Sequence, residues 1–182
     1  MSEVEKRKAI EDKGKSLDFG CGIGRLTFPL SRAFKESHGV DISEAMISKA
    51  NVCRDQKGMF NCQFHTNTKS DLGLFKDETF NFILSIIVLQ HMEPTYFLHY
   101  IKEFLRVLKK DGVLVFQLPD ATENRADYTE YSDDIEPVME MYGMCRTEIV
   151  TFLETHGGVV LDVIEDNSCG PELSSYRYFV TK

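Results

Sequence analysis

Apolar residues along the chain fall into short runs of two periods that alternate. Lys15–Phe19, residues 37–41, residues 59–66 and residues 113–118 have the strand pattern. Residues 80–88, FNFILSIIV, form a nearly continuous apolar run, as in a strand buried on both faces. Between these lie helical stretches. Residues 3–12 read as a short leading helix. Residues 25–35 read as a helix after the first strand, and residues 44–56 as another, capped by Ser43. Pro94 opens a helix over residues 94–108, with Phe97, Ile101, Phe104, Leu105 and Leu108 on one face. Residues 67–77 form a polar loop. Strand–helix alternation of this kind predicts an α/β, doubly wound, parallel sheet. After residues 119–145, which have no clear period, come a helix at Arg146–Thr155 and strands at residues 159–165 and Ser175–Thr181. A Gly-Pro turn separates these strands, which pair antiparallel at a sheet edge. The expectation is one domain, residues 1–182, with a seven-stranded, mostly parallel sheet.

The run LDFGCGIGRLT, residues 17–27, carries the first chemistry. A strand enters a turn with Gly20, Gly22 and Gly24, which allow a sharp bend and a close ligand approach. The second strand ends in Asp41, where a carboxylate accepts from two ribose hydroxyls. This is a nucleoside-binding half-fold. The spacing GxGxG differs from the dinucleotide fingerprint GxGxxG, whose last glycine is replaced by Arg25. Asp18 would repel a pyrophosphate but suits a cationic ligand bearing an ammonium group. S-adenosylmethionine has that group, a sulfonium and a ribose.

Net charge is −8 and no basic block occurs, so nucleic acid and membrane surfaces are disfavoured as partners. The charged N-terminus has no signal-peptide pattern and no long apolar span follows, which reads as cytoplasmic. Five cysteines without a CxxC pair make neither a disulfide framework nor a zinc site, and no metal is expected.

The chain resembles the Rossmann-like, class I S-adenosylmethionine-dependent methyltransferases, of the methyltransferase domain 11/25 type. The resemblance is carried, in order, by LDFGCGIGRLT, GVDIS, FNFILSIIVLQHMEP, YIKEFLRVLKKDGVLVFQLP and the closing hairpin VVLDVIED and SYRYFVT. It implies sheet order 3-2-1-4-5-7-6 with strand 7 antiparallel, S-adenosylmethionine as cofactor, and methyl transfer to a small-molecule acceptor. It implies that the turn Gly20, Cys21, Gly22 and Gly24 passes under the methionine moiety and that Asp18 lies near its ammonium. Ile42 would pack on the adenine face, with plain core as the alternative. Ser85 and Ile86 would offer backbone near the methionine carboxylate and sulfur. Phe80-Asn81 stands where the family has an acid in second place. The acid that follows strand three is also displaced. Asn67 is the nearest match and Asp71 its rival.

No catalytic residue declares itself. His91, beside Gln90 near the exit of strand four, is the one candidate base, against a role capping or bracing the next helix. Arg25 could reach a carboxylate. Residues 119–145, rich in acids with interspersed tyrosines and methionines, are expected to form an acceptor-binding cap. Sixteen residues precede the first motif, where the family commonly carries a lid helix, so the form is either truncated or open at the cofactor. A non-catalytic S-adenosylmethionine binder or regulatory subunit is the alternative. A nucleotide-dependent oxidoreductase is remote on glycine spacing and Asp18.

Overall fold

The computed structural model describes residues 1–120, 141–169 and 174–182. They build a seven-stranded sheet in the order β3-β2-β1-β4-β5-β7-β6. Its strands are β1 (Lys15–Phe19), β2 (Glu36–Asp41), β3 (Cys62–Thr66), β4 (Phe80–Ser85), β5 (Leu108–Pro119), β6 (Val159–Asp166) and β7 (Ser175–Thr181). The first five pair parallel, and β7 runs antiparallel between β5 and β6. Helices α1 (Ser2–Glu5), α2 (Thr27–Leu30), α3 (Glu44–Lys57), α4 (Pro94–Val107) and α5 (Arg146–Thr155) connect or flank the strands. This is the α/β architecture that the alternation of periods predicts.

Two apolar clusters hold the layers together. One face of β1, β4 and β5 packs on α4 and α5 through Phe97, Ile101, Phe104, Ile149 and Leu153. The other meets α1 and α2 through Val4, Leu30, Phe34, Phe82 and Phe179. Burial of this kind supplies most of the favourable free energy of folding.

Several elements depart from the sequence expectation, each for a local reason. The helix expected over 25–35 is helical only at Thr27–Leu30. Pro29 has no N–H to give the Arg25 carbonyl, and the chain continues as turns. The leading helix ends at Glu5 instead of residue 12. Beyond it the chain is pinned by Asn81, which accepts from the Lys15 N–H at 2.9 Å and donates to Asp12 at 3.0 Å. An acid at position 81 could make the first of these bonds but not the second. Strand β4 stops at Ser85 because Ile87 takes φ +61°, the left-handed region that β-branched residues avoid. Strand β5 begins at Leu108, since residues 109–112 bulge out between the Phe80–Leu108 and Phe82–Val113 pairs.

The polar loop after β3 is tied down. Its Leu72 and Phe75 are buried, and Arg106 of α4 donates to both of their carbonyls, at 3.0 and 3.1 Å. Glu103 accepts from the Leu72 N–H at 2.8 Å and holds Arg106 at 2.7 Å. Nearby, His38 and His65 stack and share a 2.9 Å hydrogen bond. Burial lowers the His38 pKa to about 4, so the ring is neutral at pH 7.

Candidate functional site

The carboxyl ends of β1, β2 and β4 converge where an open α/β sheet binds ligands. Gly20 leaves β1 at φ +74° and donates to the Val40 carbonyl at 2.8 Å. A Cβ at Gly20 would lie 2.3 Å from Val88. Gly22, at φ +53°, would carry a Cβ that meets nothing within 4 Å. The turn is thus packed on one side and open on the other. Gly24 closes it, donating to the Cys21 carbonyl at 2.9 Å. The Cys21 thiol is buried and its pKa is raised by that burial, so it is a packing residue of the turn and not a thiolate.

Asp41 links the two halves of this arrangement. One carboxylate oxygen accepts from the Gly22 N–H at 2.8 Å and the other from the Ser43 N–H at 2.9 Å. Each oxygen keeps a further lone pair for an incoming hydroxyl. Ile42, next along, is 73% exposed, which removes the core alternative for it.

Asp18 is only 2% exposed and accepts from the Thr27 hydroxyl at 2.7 Å. Burial pushes its pKa up to about 6, against the hydrogen bonds from Thr27 that pull it down. Its direct partner in this structure is the start of α2. Asn67 donates to the Asp71 carbonyl at 2.6 Å and accepts from the Lys69 N–H at 3.2 Å. It shapes the loop and retains one acceptor lone pair. Asp71 is engaged by the Gly73 N–H at 2.8 Å.

Ser85 is fully buried and its hydroxyl has no hydrogen-bond partner among the described residues. Ile86 follows it at the strand exit. The strained Ile87 is held through its N–H by Gln117, 3.1 Å away. Gln117 in turn donates to Cys169 at 3.0 Å, and the Cys169 thiol donates to Gln90 at 3.2 Å. Sequence reasoning did not find this chain of bonds. Its one signal is Gln117, the lone amide in the otherwise apolar stretch 113–118 of β5.

A cavity of about 580 Å³ opens beside Ile42, walled by the loop Thr68–Ser70 and by His91, Tyr96, Tyr100 and Tyr142. The Tyr100 hydroxyl donates to the Lys69 carbonyl at 2.9 Å and fixes that wall. His91 is exposed, in the 3₁₀ turn Leu89–His91, and faces this cavity. It does not cap α4, whose N-cap residue is Glu93. Of the expected acceptor cap, residues 121–140 lie outside the described residues.

Residues 17–112 match the family model of a methyltransferase domain. The chain belongs to this methyltransferase domain family. With the family comes S-adenosylmethionine as cofactor. The domain is 31% identical over 96 residues to the uncharacterized methyltransferase YcgJ of Bacillus subtilis, covering 53% of this chain and 37% of that protein. It is 32% identical over 126 residues to trans-aconitate 2-methyltransferase of an Enterobacter species, covering 65% and 44%. It spans less than half of either. A methyltransferase structure from Methanosarcina mazei superposes with a TM-score of 0.80 over 100% of this chain and 97% of that one, at 18% identity. The [4+2]-cyclase SpnF superposes with a TM-score of 0.73 at 20% identity, covering 100% and 79%. Likeness at that level concerns the fold alone. Among the described residues, no helix is long and apolar enough to cross a membrane.

The residues present fit the cofactor. The open side of Gly22 leaves the room that a ligand at the turn needs. The free lone pairs of Asp41 suit a ribose, and exposed Ile42 offers an apolar face to a purine.

Proposed function

We propose that this chain is an S-adenosylmethionine-dependent methyltransferase acting on a small-molecule acceptor. The observation that carries it is the pairing of Asp41 with Gly22 on the open side of the turn, beside exposed Ile42. S-adenosylmethionine supplies a methyl group already activated as a sulfonium. The protein's part is then placement and exclusion of water. Asp41 holds the ribose hydroxyls. Ile42 and the loop wall Thr68–Ser70 of the neighbouring cavity hold the adenine, and the Asn67 carbonyl accepts from its amino group. Gly20, Cys21, Gly22 and Gly24 form the floor under the methionine moiety. Asp18 acts on the ammonium through space from behind that floor. Ser85 and Ile86 offer backbone near the methionine carboxylate and sulfur, and so lie beside the methyl carbon that the sulfur carries.

A base is required only for an acceptor that keeps its proton. His91 is the candidate, exposed on the cavity wall. Small-molecule acceptors are supported by a relative named for trans-aconitate. The net charge of −8 supports the exclusion of nucleic acid.

The test is methyl transfer by the full chain from radiolabelled S-adenosylmethionine to a library of small acids, amines, phenols and thiols. Label transfer that needs the enzyme, and that His91→Ala reduces only for protonated acceptors, is expected. Tight cofactor binding with no transfer to any class would favour the non-catalytic binder.

A further inference from the structure

A second cavity, of about 450 Å³, lies on the opposite face of the sheet from α4 and α5, between the N-terminal segment and the start of α2. Its floor is apolar: Leu30, Phe82, Leu84, Val115 and Phe179. Its rim meets Ile86 and Ile87, the residues that leave β4 beside the proposed reacting carbon. It therefore adjoins the donor site without overlapping the wall that would hold adenine.

The charges at this rim are unusual for so acidic a protein. Arg25 is exposed and makes no hydrogen bond or ion pair among the described residues. Arg177 also lines the cavity. Its outer guanidinium nitrogen bonds Asp166, while its buried Nε has no partner among the described residues. Glu3 is the one acid among the described lining residues, and Lys6 and Arg7 already engage it at 2.6 and 3.1 Å. Ser168 lines the same edge. The balance is one guanidinium, that of Arg25, without a bonded partner among the described residues over an apolar floor. A guanidinium fork matches the two oxygens of a carboxylate, and a volume of this order suits a small ligand.

We infer that this cavity binds the methyl acceptor, and that the acceptor is a small organic acid. Its carboxylate meets Arg25, and its apolar body lies on Val115, Leu84 and Phe179. This rests on the donor reading given above, because the place of the reacting carbon makes the cavity an acceptor site. The same charge could serve the donor's own methionine carboxylate, and the experiment separates the two.

The full chain is titrated with butyrate, hexanoate and benzoate, each against its neutral amide, with and without saturating S-adenosylhomocysteine. At least one acid should bind about tenfold or more tightly than its amide, as expected for a charge-assisted contact. Arg25→Gln, at an exposed position without a hydrogen bond or ion pair among the described residues, should abolish that preference and leave the S-adenosylhomocysteine affinity within about twofold. Equal binding of acids and amides, no binding of any acid, or a preference that survives Arg25→Gln would overturn the inference. So would a variant that loses S-adenosylhomocysteine affinity instead, since Arg25 would then belong to the donor. An acid preference on Arg25 without any S-adenosylhomocysteine binding in the parent protein would sink the donor reading and leave the pocket standing.

Discussion

Gly20 and Gly22 both sit at positive φ, yet a methyl group added to each meets opposite surroundings. At Gly20 it would run into Val88 at 2.3 Å, and at Gly22 it would enter open space. Gly20→Ala is therefore expected to cost about 3 kcal/mol or more, from overpacking plus left-handed strain. Gly22→Ala should cost about 1–2 kcal/mol, the backbone term alone, while its Cβ obstructs the donor. Thermal unfolding together with cofactor titration reads the difference. A Gly22→Ala protein that binds the donor normally would show that the open side is not the donor's side. Asp18 supplies a pH signature. The unfolded carboxyl ionises at its ordinary value of 3.8, whereas the folded one holds its proton up to about 6. Stability present below the unfolded value is thus lost as pH rises through about 6. Asn at this position keeps an acceptor for the Thr27 hydroxyl and cannot ionise. The advantage of Asp18→Asn over the parent should grow between about pH 4 and 6 and then level off, reaching about 2–3 kcal/mol. Denaturation midpoints of the two proteins across that range check this, and a flat difference would mean that Asp18 is not perturbed.

At the scale of elements, the loop after β3 depends on one side chain of a distant helix. Arg106 donates to the carbonyls of Leu72 and Phe75 and pairs with Glu103 and Asp77. Arg106→Ala leaves those buried carbonyls unsatisfied and should cost about 2 kcal/mol. Because Thr68–Ser70 wall the cavity beside Ile42, donor affinity should fall as well, by about threefold to tenfold. Lys cannot restore the forked bonds, so Arg106→Lys should rescue little. Chemical denaturation and calorimetry on both variants test this; full stability in Arg106→Ala would remove the brace. None of this was legible in the sequence, where 67–77 is only a polar stretch, since the bracing residue lies about thirty positions away. Elements set by local pattern were legible: Arg146–Thr155 and Ser175–Thr181 fall where the periods place them. The second helix was misread because its apolar spacing hid the effect of Pro29. Strand four was read too long because its apolar run continues past Ser85, while the left-handed turn at Ile87 follows from tertiary contacts.

For the molecule as a whole, the doubly wound sheet follows from the alternation of strand and helix patterns, its strand order from the family resemblance, and the Asp41 end of the site from spacing along one half-fold. The second cavity did not, because it joins residues from both ends of the chain, from Val4 to Phe179. The central claim is that the turn and Asp41 together bind S-adenosylmethionine. Calorimetric titration of the full chain with S-adenosylmethionine, beside Asp41→Ala and with NADH as a control, tests it most directly. Asp41→Ala removes a charged acceptor of two hydrogen bonds, together about 3 kcal/mol or more, so the parent should bind at one site and the variant about a hundredfold more weakly. NADH should give no heat with either protein. Micromolar NADH binding, no S-adenosylmethionine binding in the parent, or a variant affinity within about threefold of it would contradict the account.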